Sequence, residues 1–294
     1  MNDDNGHSVS KGTPSVPGKL IVLDGIDGSG KATQAKLLAA RLERSGLSAR
    51  VIAFPQYGKK SAGLVEEYLS GGYGELDQVD SYQASLFYAL DRFDASRQIR
   101  DWLKQGQIVI ADRYASANMG HQGSKIANPL ERKLFFDWLY RLEYEILNIP
   151  KPDLNIFLHL DPDLARCLID GRDKLNQCIH EKDNGHLQRA EKTFLEIART
   201  YPDFIIIECA DQAGILPAAK INDLIWQQLK KIFESDDSAL DSIIIRSTDY
   251  YSLNPGEKTL VQNSLKIPLT IANTSQDILH IAPGQIIAKL AITV

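Results

Sequence analysis

Gly25-Ile26-Asp27-Gly28-Ser29-Gly30-Lys31 lies between an apolar run, Leu20-Ile21-Val22-Leu23, and a helical pattern that starts near Lys31. Residues of these types in this order bind phosphate. The glycines let backbone N–H groups converge on an anion. The N-terminus of the following helix adds partial positive charge, and Lys31 reaches the β- and γ-phosphates of a nucleoside triphosphate. The ATP-binding set read from this loop is Gly25, Ile26, Asp27, Gly28, Ser29, Gly30, Lys31, Ala32 and Thr33. The pattern asks for Ser or Thr directly after the lysine, to ligate Mg²⁺. Here that position is Ala32, with Thr33 next.

Three further clusters carry chemistry: Phe54-Pro55-Gln56-Tyr57-Gly58, Phe87-Tyr88-Ala89-Leu90-Asp91-Arg92, and Asp112-Arg113-Tyr114. Two arginines and two aromatic groups beside a triphosphate loop describe a second pocket. It would hold a base by stacking and a phosphate by bidentate contacts. Other roles are open to the same residues. Tyr88 and Phe87 also suit a core, Arg92 could pair with Asp91 or Asp94, and Asp112 could cap the chain after a strand.

The elements that must position these groups alternate. Apolar runs at 20–24, 50–54, 107–111, 154–160 and 204–208 read as strands, and several are continuous, as in Ile108-Val109-Ile110. Continuous runs suit strands buried on both faces of a parallel sheet. Helical patterns fall near 31–45, 61–70, 80–105, 129–147, 186–200 and 215–233. The alternation predicts an α/β fold, a P-loop NTPase-type parallel sheet flanked by helices, with ligands at the carboxyl ends of the strands. Residues 1–18 read as a disordered lead-in, 19–233 as the catalytic domain and 234–240 as a linker. Residues 241–294, with turn signals at Asn254-Pro255-Gly256 and Ala282-Pro283-Gly284, read as a small β-rich appendage.

Composition narrows the class. The 294 residues are 44% hydrophobic and 24% charged, with net charge −5 and no basic block. Nucleic acid is therefore not an expected partner. No apolar run is long enough to span a bilayer, and the acidic N-terminus does not read as a signal peptide. The three cysteines, Cys167, Cys178 and Cys209, are an odd count without paired spacing. Reduced thiols and a cytoplasmic location are expected. Cys178, His180 and His186 match no standard zinc spacing.

These motifs resemble those of the thymidylate kinases, a family of nucleoside monophosphate kinases, over about residues 19–233. The phosphate loop, Phe54-Pro55, Ala89-Leu90-Asp91-Arg92, Asp112-Arg113-Tyr114 and Pro150-Lys151-Pro152-Asp153 fall in family order and spacing. The resemblance implies transfer of the γ-phosphate of ATP to dTMP, with Mg²⁺ as cofactor. Lys31 would hold the donor phosphates. Asp27 would contact the acceptor sugar, and Arg92 and Arg113 would grip its phosphate. Tyr88 would stack on the pyrimidine, with Phe87 in reserve. Asn118 would read the base edge, His121 would lie near the sugar where the family often has tyrosine, and Gln122 would complete that loop. Phe54 and Tyr57 join the substrate-binding set, and Asp112 would help hold the metal. A lid is expected over 171–189. Some members carry an arginine after the loop aspartate, where this chain has Gly28, so the catalytic cation is expected from the lid, Arg172 before Lys174. Gln56 and Ala117 depart from the family pattern, as does Ala32.

The resemblance also implies a homodimer, with higher assembly through the C-terminal segment as a further expectation. A fainter likeness links Gly284-Gln285-Ile286-Ile287-Ala288-Lys289-Leu290-Ala291-Ile292 and Ile267–Asn273 to the dUTPase and dCTP-deaminase β fold. Two other functions remain open: kinase for another deoxynucleoside monophosphate, and a nucleotide-binding regulatory protein. No Asn-Lys-x-Asp signature of guanine binding is present.

Overall fold

The computed structural model describes residues 18–75, 78–170, 184–235, 260–261 and 264–265. Five strands form one sheet: β1 (Lys19–Asp24), β2 (Ala49–Ala53), β3 (Ile108–Asp112), β4 (Leu154–His159) and β5 (Phe204–Glu208). The order is β2-β3-β1-β4-β5 and every pairing is parallel. All five expected strands form, with ends displaced by one residue at most.

The sheet sorts its own side chains. Ile21, Leu23, Ile108 and Ile110 enter one core with α1 (Lys31–Arg44), α7 (Asn184–Thr200) and α8 (Ala218–Ser235). Leu20, Val22, Val109 and Ala111 point the other way, against α3 (Ser81–Lys104). Both faces are covered, which is why these strands read as unbroken apolar runs.

Local signals set the helix ends. Asp80 caps α3 by accepting from Gln83 N, and the Gln83 side chain closes the box back onto the Asp80 backbone. Asn128 caps α5 (Pro129–Tyr140), with proline at its first position. The expected helix at 61–70 forms as a 3₁₀ turn, Lys60–Ala62, followed by α2 (Gly63–Ser70). The stretch expected at 129–147 is α5 continued by a π-helical segment, Arg141–Ile146. Ile215 belongs to a short hairpin, β6 (Ala210–Asp211) with β7 (Gly214–Ile215), and not to the last helix.

Two helices had no sequence signal. In α4 (Ala115–Gly123) all nine residues are buried, so no polar face marks a period. The other, α6 (Pro162–Asp170), starts behind Asp161, whose carboxylate accepts from Asp163 N. The motif Pro150-Lys151-Pro152-Asp153 registers β4 beside β1. Leu20 N donates to Asp153 Oδ2 at 2.8 Å, and Tyr114 Oη donates to Pro150 O at 3.0 Å.

Residues 1–17 and 171–183 lie outside the described residues, so the expectations for the lead-in and for Arg172 and Lys174 are not met by any observation. Beyond Ser235 only an antiparallel pair is described, β8 (Leu260–Val261) with β9 (Ser264–Leu265). The readings of the linker and of the strands at 242–246, 267–271, 278–281 and 286–294 also fall outside.

Candidate active site

β1 and β3 are neighbours in register, Leu23 beside Asp112, so their carboxyl ends put Asp24 and the Asp112-Arg113 pair together. The phosphate loop leaves β1 and feeds α1. One cavity of about 350 Å³ opens there. Asp27, Gly28, Gly30, Lys31, Ala32 and Thr33 line one part of it. Phe54, Tyr57, Tyr88, Arg92, Asp112, Arg113, Asn118, His121 and Gln122 line the rest. Gly25, Ile26 and Ser29 belong to the loop but are not lining residues. Phe87 is also absent from the wall; it packs on Tyr68 and Tyr73. Tyr88, the first choice for stacking, is in place.

Lys31 Nζ donates to Ile26 O at 2.8 Å. Burial, with Arg113 nearby, pushes its pKa down to about 8 against the pull of Asp27, Asp112 and Asp24. Arg113 donates to Asp27 Oδ1 through Nη2. Burial opposes its charge, but Asp27, Asp112 and Asp24 outweigh that and hold the guanidinium pKa above its ordinary value. Its φ of 68° lies in the left-handed region. A non-glycine residue held there stores strain, a feature that collects at functional sites.

Arg92 pairs with neither Asp91 nor Asp94; it forms a buried ion pair with Glu143. A guanidinium has five N–H donors, so one carboxylate does not exhaust it. Asp91 takes Gln56 N at 2.8 Å, Gln56 Nε2 at 3.1 Å and Ser61 Oγ at 2.6 Å. Gln56 is thus turned onto Asp91 and does not line the cavity.

Asn118 Nδ2 donates to Ser85 O at 3.2 Å, and its Oδ1 accepts from Ser85 Oγ at 3.3 Å. Gln122 is fully buried, and its Nε2 has no hydrogen-bond partner among the described residues. An unmet donor in a cavity wall marks a place where a ligand acceptor belongs.

Asp24 escaped sequence reasoning because it reads as the last residue of an apolar strand. It is fully buried; Oδ2 accepts from Ser116 Oγ, and Oδ1 has no partner among the described residues. Burial raises its pKa to about 6, against the Ser116 hydrogen bond and the charges of Arg113 and Lys31. Among the described residues no three His, Cys, Asp or Glu side chains form a metal cage. Mg²⁺ needs only one or two carboxylates plus phosphate oxygens. Asp112 lines the cavity and fits that requirement without a hydroxyl at position 32; Asp24 is buried behind it at the end of the adjacent strand. His186, whose spacing from Cys178 and His180 matches no zinc pattern, packs its ring on His121.

A side chain at Gly28 is ruled out by space. Its φ is +88°, and a Cβ there would lie 2.5 Å from Ala165 O on α6. The loop therefore cannot carry its own arginine at that position unless α6 moves.

The sheet order and the loop after its first strand define a P-loop α/β nucleotide-binding protein, and the cavity runs from that loop to Tyr88, Asn118 and Gln122. A thymidylate kinase family model matches residues 23–216, and the chain belongs to that family of ATP-dependent nucleoside monophosphate kinases. A thymidylate kinase of Mycobacterium tuberculosis (strain CDC 1551 / Oshkosh) is 31% identical over 184 residues, spanning 61% of this chain and 85% of the relative. The Homo sapiens thymidylate kinase is 30% identical over 143 residues, 49% and 61% of the two chains. The solved thymidylate kinase of Candida albicans, described as having broad substrate specificity, superposes with a TM-score of 0.59 at 26% identity. It covers 74% of this chain and 93% of its own.

Proposed function

We propose that this chain transfers the γ-phosphate of ATP to dTMP, giving ADP and dTDP. The observation that carries the reading is the single cavity, with the phosphate loop in one wall and Tyr88, Asn118 and Gln122 in another. An aromatic face and two buried amides suit a flat base with carbonyl and N–H edges. The family and the bacterial and human relatives support the same reading.

The residues divide the work. Lys31 leaves Ile26 O for the β- and γ-phosphates. Arg113 and Arg92 bind the acceptor phosphate, Asp27 and His121 lie toward the sugar, and Phe54 and Tyr57 close the side. An acceptor phosphate oxygen attacks the γ-phosphorus in line; the new P–O bond forms as the bond to the β-bridging oxygen breaks, and ADP carries away the electron pair. Positioning and positive charge supply the catalysis. Mg²⁺ would be held by Asp112 with the phosphates, and when bound it neutralises charge on the transferring group. Because Gly28 admits no side chain, Arg172 is the proposed source of the additional catalytic cation.

The partners are ATP and dTMP, and a second copy of this chain. Tyr82, Leu86, Leu90 and Phe93 form an exposed apolar stripe along α3, 41 to 50% accessible, which suits a homodimer face. Residues 19–233 make up the kinase domain in this reading; 234–240 link it to a β-rich segment, 241–294, that serves assembly. No helix among the described residues is long and apolar enough to cross a membrane. Cys167 and Cys209 are free thiols, which suits the proposed cytoplasmic location.

A coupled assay of ADP release, with ATP, Mg²⁺ and a panel of deoxynucleoside monophosphates, tests the reading. Preference for dTMP is expected. Preference for another monophosphate would move the substrate, and ATP binding without release on any acceptor would overturn the kinase assignment.

A further inference from the structure

Two stacked imidazoles connect the acceptor side of the cavity to α7. Arg113 Nη1 lies 2.8 Å from His121 Nε2, and His121 Nδ1 lies 3.2 Å from His186 Nε2. The ring centroids are 5.5 Å apart with planes 20° from parallel, and Phe194 meets the His121 ring edge-on at 5.6 Å. His186 is fully buried in the first turn of α7. The approach of α4 to α7 depends on Gly120, where a Cβ would lie 2.3 Å from the Phe194 ring.

The direction of these hydrogen bonds follows from the first member. A guanidinium donates and never accepts, so His121 Nε2 must present a lone pair to Arg113. A histidine ring keeps at least one proton, so that of His121 sits on Nδ1. The Nδ1–H then donates to His186 Nε2, which is unprotonated, and His186 keeps its own proton on Nδ1. The reverse direction would require His121 with no ring proton at all.

We propose that His186 is a positioning residue for the acceptor pocket: it holds His121 in the Nδ1–H tautomer, so that a lone pair on Nε2 faces Arg113 and the bound nucleotide. The proposal rests on the reading of the cavity as the nucleoside monophosphate site. When the acceptor phosphate draws Arg113 toward itself, Nε2 becomes available to accept from a hydroxyl of the nucleotide sugar. His186 never touches substrate; it acts through the ring of His121 and ties that ring to α7.

Nitrogen-15 NMR of the full chain with labelled histidine reads each ring's tautomer without substrate or turnover. His121 protonated at Nδ1 is expected in the wild type, and protonation at Nε2 would overturn the proposal before any variant is made. His186→Gln places an amide oxygen where Nε2 was and should preserve both the tautomer and the kinetics. His186→Phe keeps the ring but removes the acceptor. With the monophosphate bound and Arg113 drawn to its phosphate, His121 should then populate both tautomers, and KM for the nucleoside monophosphate should rise about tenfold, with kcat changed less than about twofold. An unchanged tautomer in that nucleotide complex, or an unchanged KM, in His186→Phe would mean that the ring only packs. If no monophosphate is phosphorylated by the wild type, the kinase reading fails, while the spectra still decide the fate of the relay.

Discussion

Arg92, in the cavity wall, and Glu143 behind it form an ion pair that neither side chain shares with solvent. Arg92 Nε lies 3.0 Å from Glu143 Oε1 and 3.2 Å from Oε2, and Nη2 also donates to Oε1. Burial opposes the guanidinium charge, but Glu143 more than offsets it and holds the pKa above its ordinary value. Glu143 belongs to the π-helical segment Arg141–Ile146, so this irregular turn sets how a cavity-lining arginine is aimed.

Removing one partner strands a buried charge. Glu143→Ala should lower unfolding stability by about 3–5 kcal/mol in urea titration. Replacing both, Arg92→Leu with Glu143→Leu, should recover much of that loss, because apolar pairs of similar volume replace buried ion pairs at small cost. The double variant should still bind dTMP poorly. Full activity in a stable double variant would show that the pair is only structural.

His159, at the end of β4, lies with Nδ1 2.6 Å from a Glu208 oxygen on β5 and with Nε2 2.9 Å from a Glu191 oxygen on α7, and as the imidazolium it donates to both. Burial alone would lower its pKa; the hydrogen bonds and charges of the two glutamates outweigh that and raise it. A folded-state pKa above the unfolded value gives stability that is complete below about pH 6.5 and disappears as pH rises through the folded value. His159→Gln should therefore cost stability at about pH 6 and little at about pH 9. Equal costs at both, measured by urea unfolding, would mean that charge is not the source.

Much of this architecture was legible in the residues. The strands were visible because a sheet covered on both faces leaves unbroken apolar runs such as Ile108-Val109-Ile110. The loop at 25–31 and the run at 112–113 announced the site. What was not legible had physical causes. Helix α4 is buried on every side, so it shows no period, although it carries Asn118, His121 and Gln122. Glu143 lies fifty-one residues from Arg92, and only the fold brings them together. Asp24 is hidden at the end of a strand, where a carboxylate looks like punctuation. His186 looked like part of a polar stretch, and only packing against α4 reveals its role.

Asp24 contributes a pH slope of the same sign in a more acidic window. Its folded pKa, about 6, lies above the ordinary 3.8 because the carboxyl is buried. The stability it contributes is present below about pH 4 and is lost as pH rises through 6. At neutral pH the metal-free fold therefore bears a cost of up to about 3 kcal/mol. Asp24→Asn should be more stable than the wild type at about pH 7.5 in metal-free buffer, and the gap should narrow toward about pH 4. Thermal melts with parallel slopes for the two proteins would contradict this.

Lys31 is the residue with the largest expected effect on rate. Charge aimed at the transferring phosphoryl group counts for more in a water-excluded site than in solution. Lys31→Ala should cut kcat by about 10²-fold or more, and it should leave the fold intact, since among the described residues the buried cation it removes donates only to Ile26 O. A circular dichroism spectrum checks the fold. Near-normal turnover in a folded variant would overturn the assignment of the phosphate loop.

Gly28 tests why the loop is built without an arginine. An arginine in the loop ought to raise turnover if charge were the only requirement. At Gly28 the backbone φ is +88°, and the first carbon of any side chain would meet Ala165 O at 2.5 Å. Both costs arise with the Cβ, so Gly28→Ala and Gly28→Arg should each destabilise the chain by more than about 1 kcal/mol. Relief requires α6 to move away from the loop, which also disturbs the N–H groups that cradle phosphate. ATP affinity should fall in both variants, and Gly28→Arg should turn over no faster than Gly28→Ala. A gain of turnover in Gly28→Arg above the wild type would show that α6 yields easily and that the catalytic cation need not come from elsewhere in the chain.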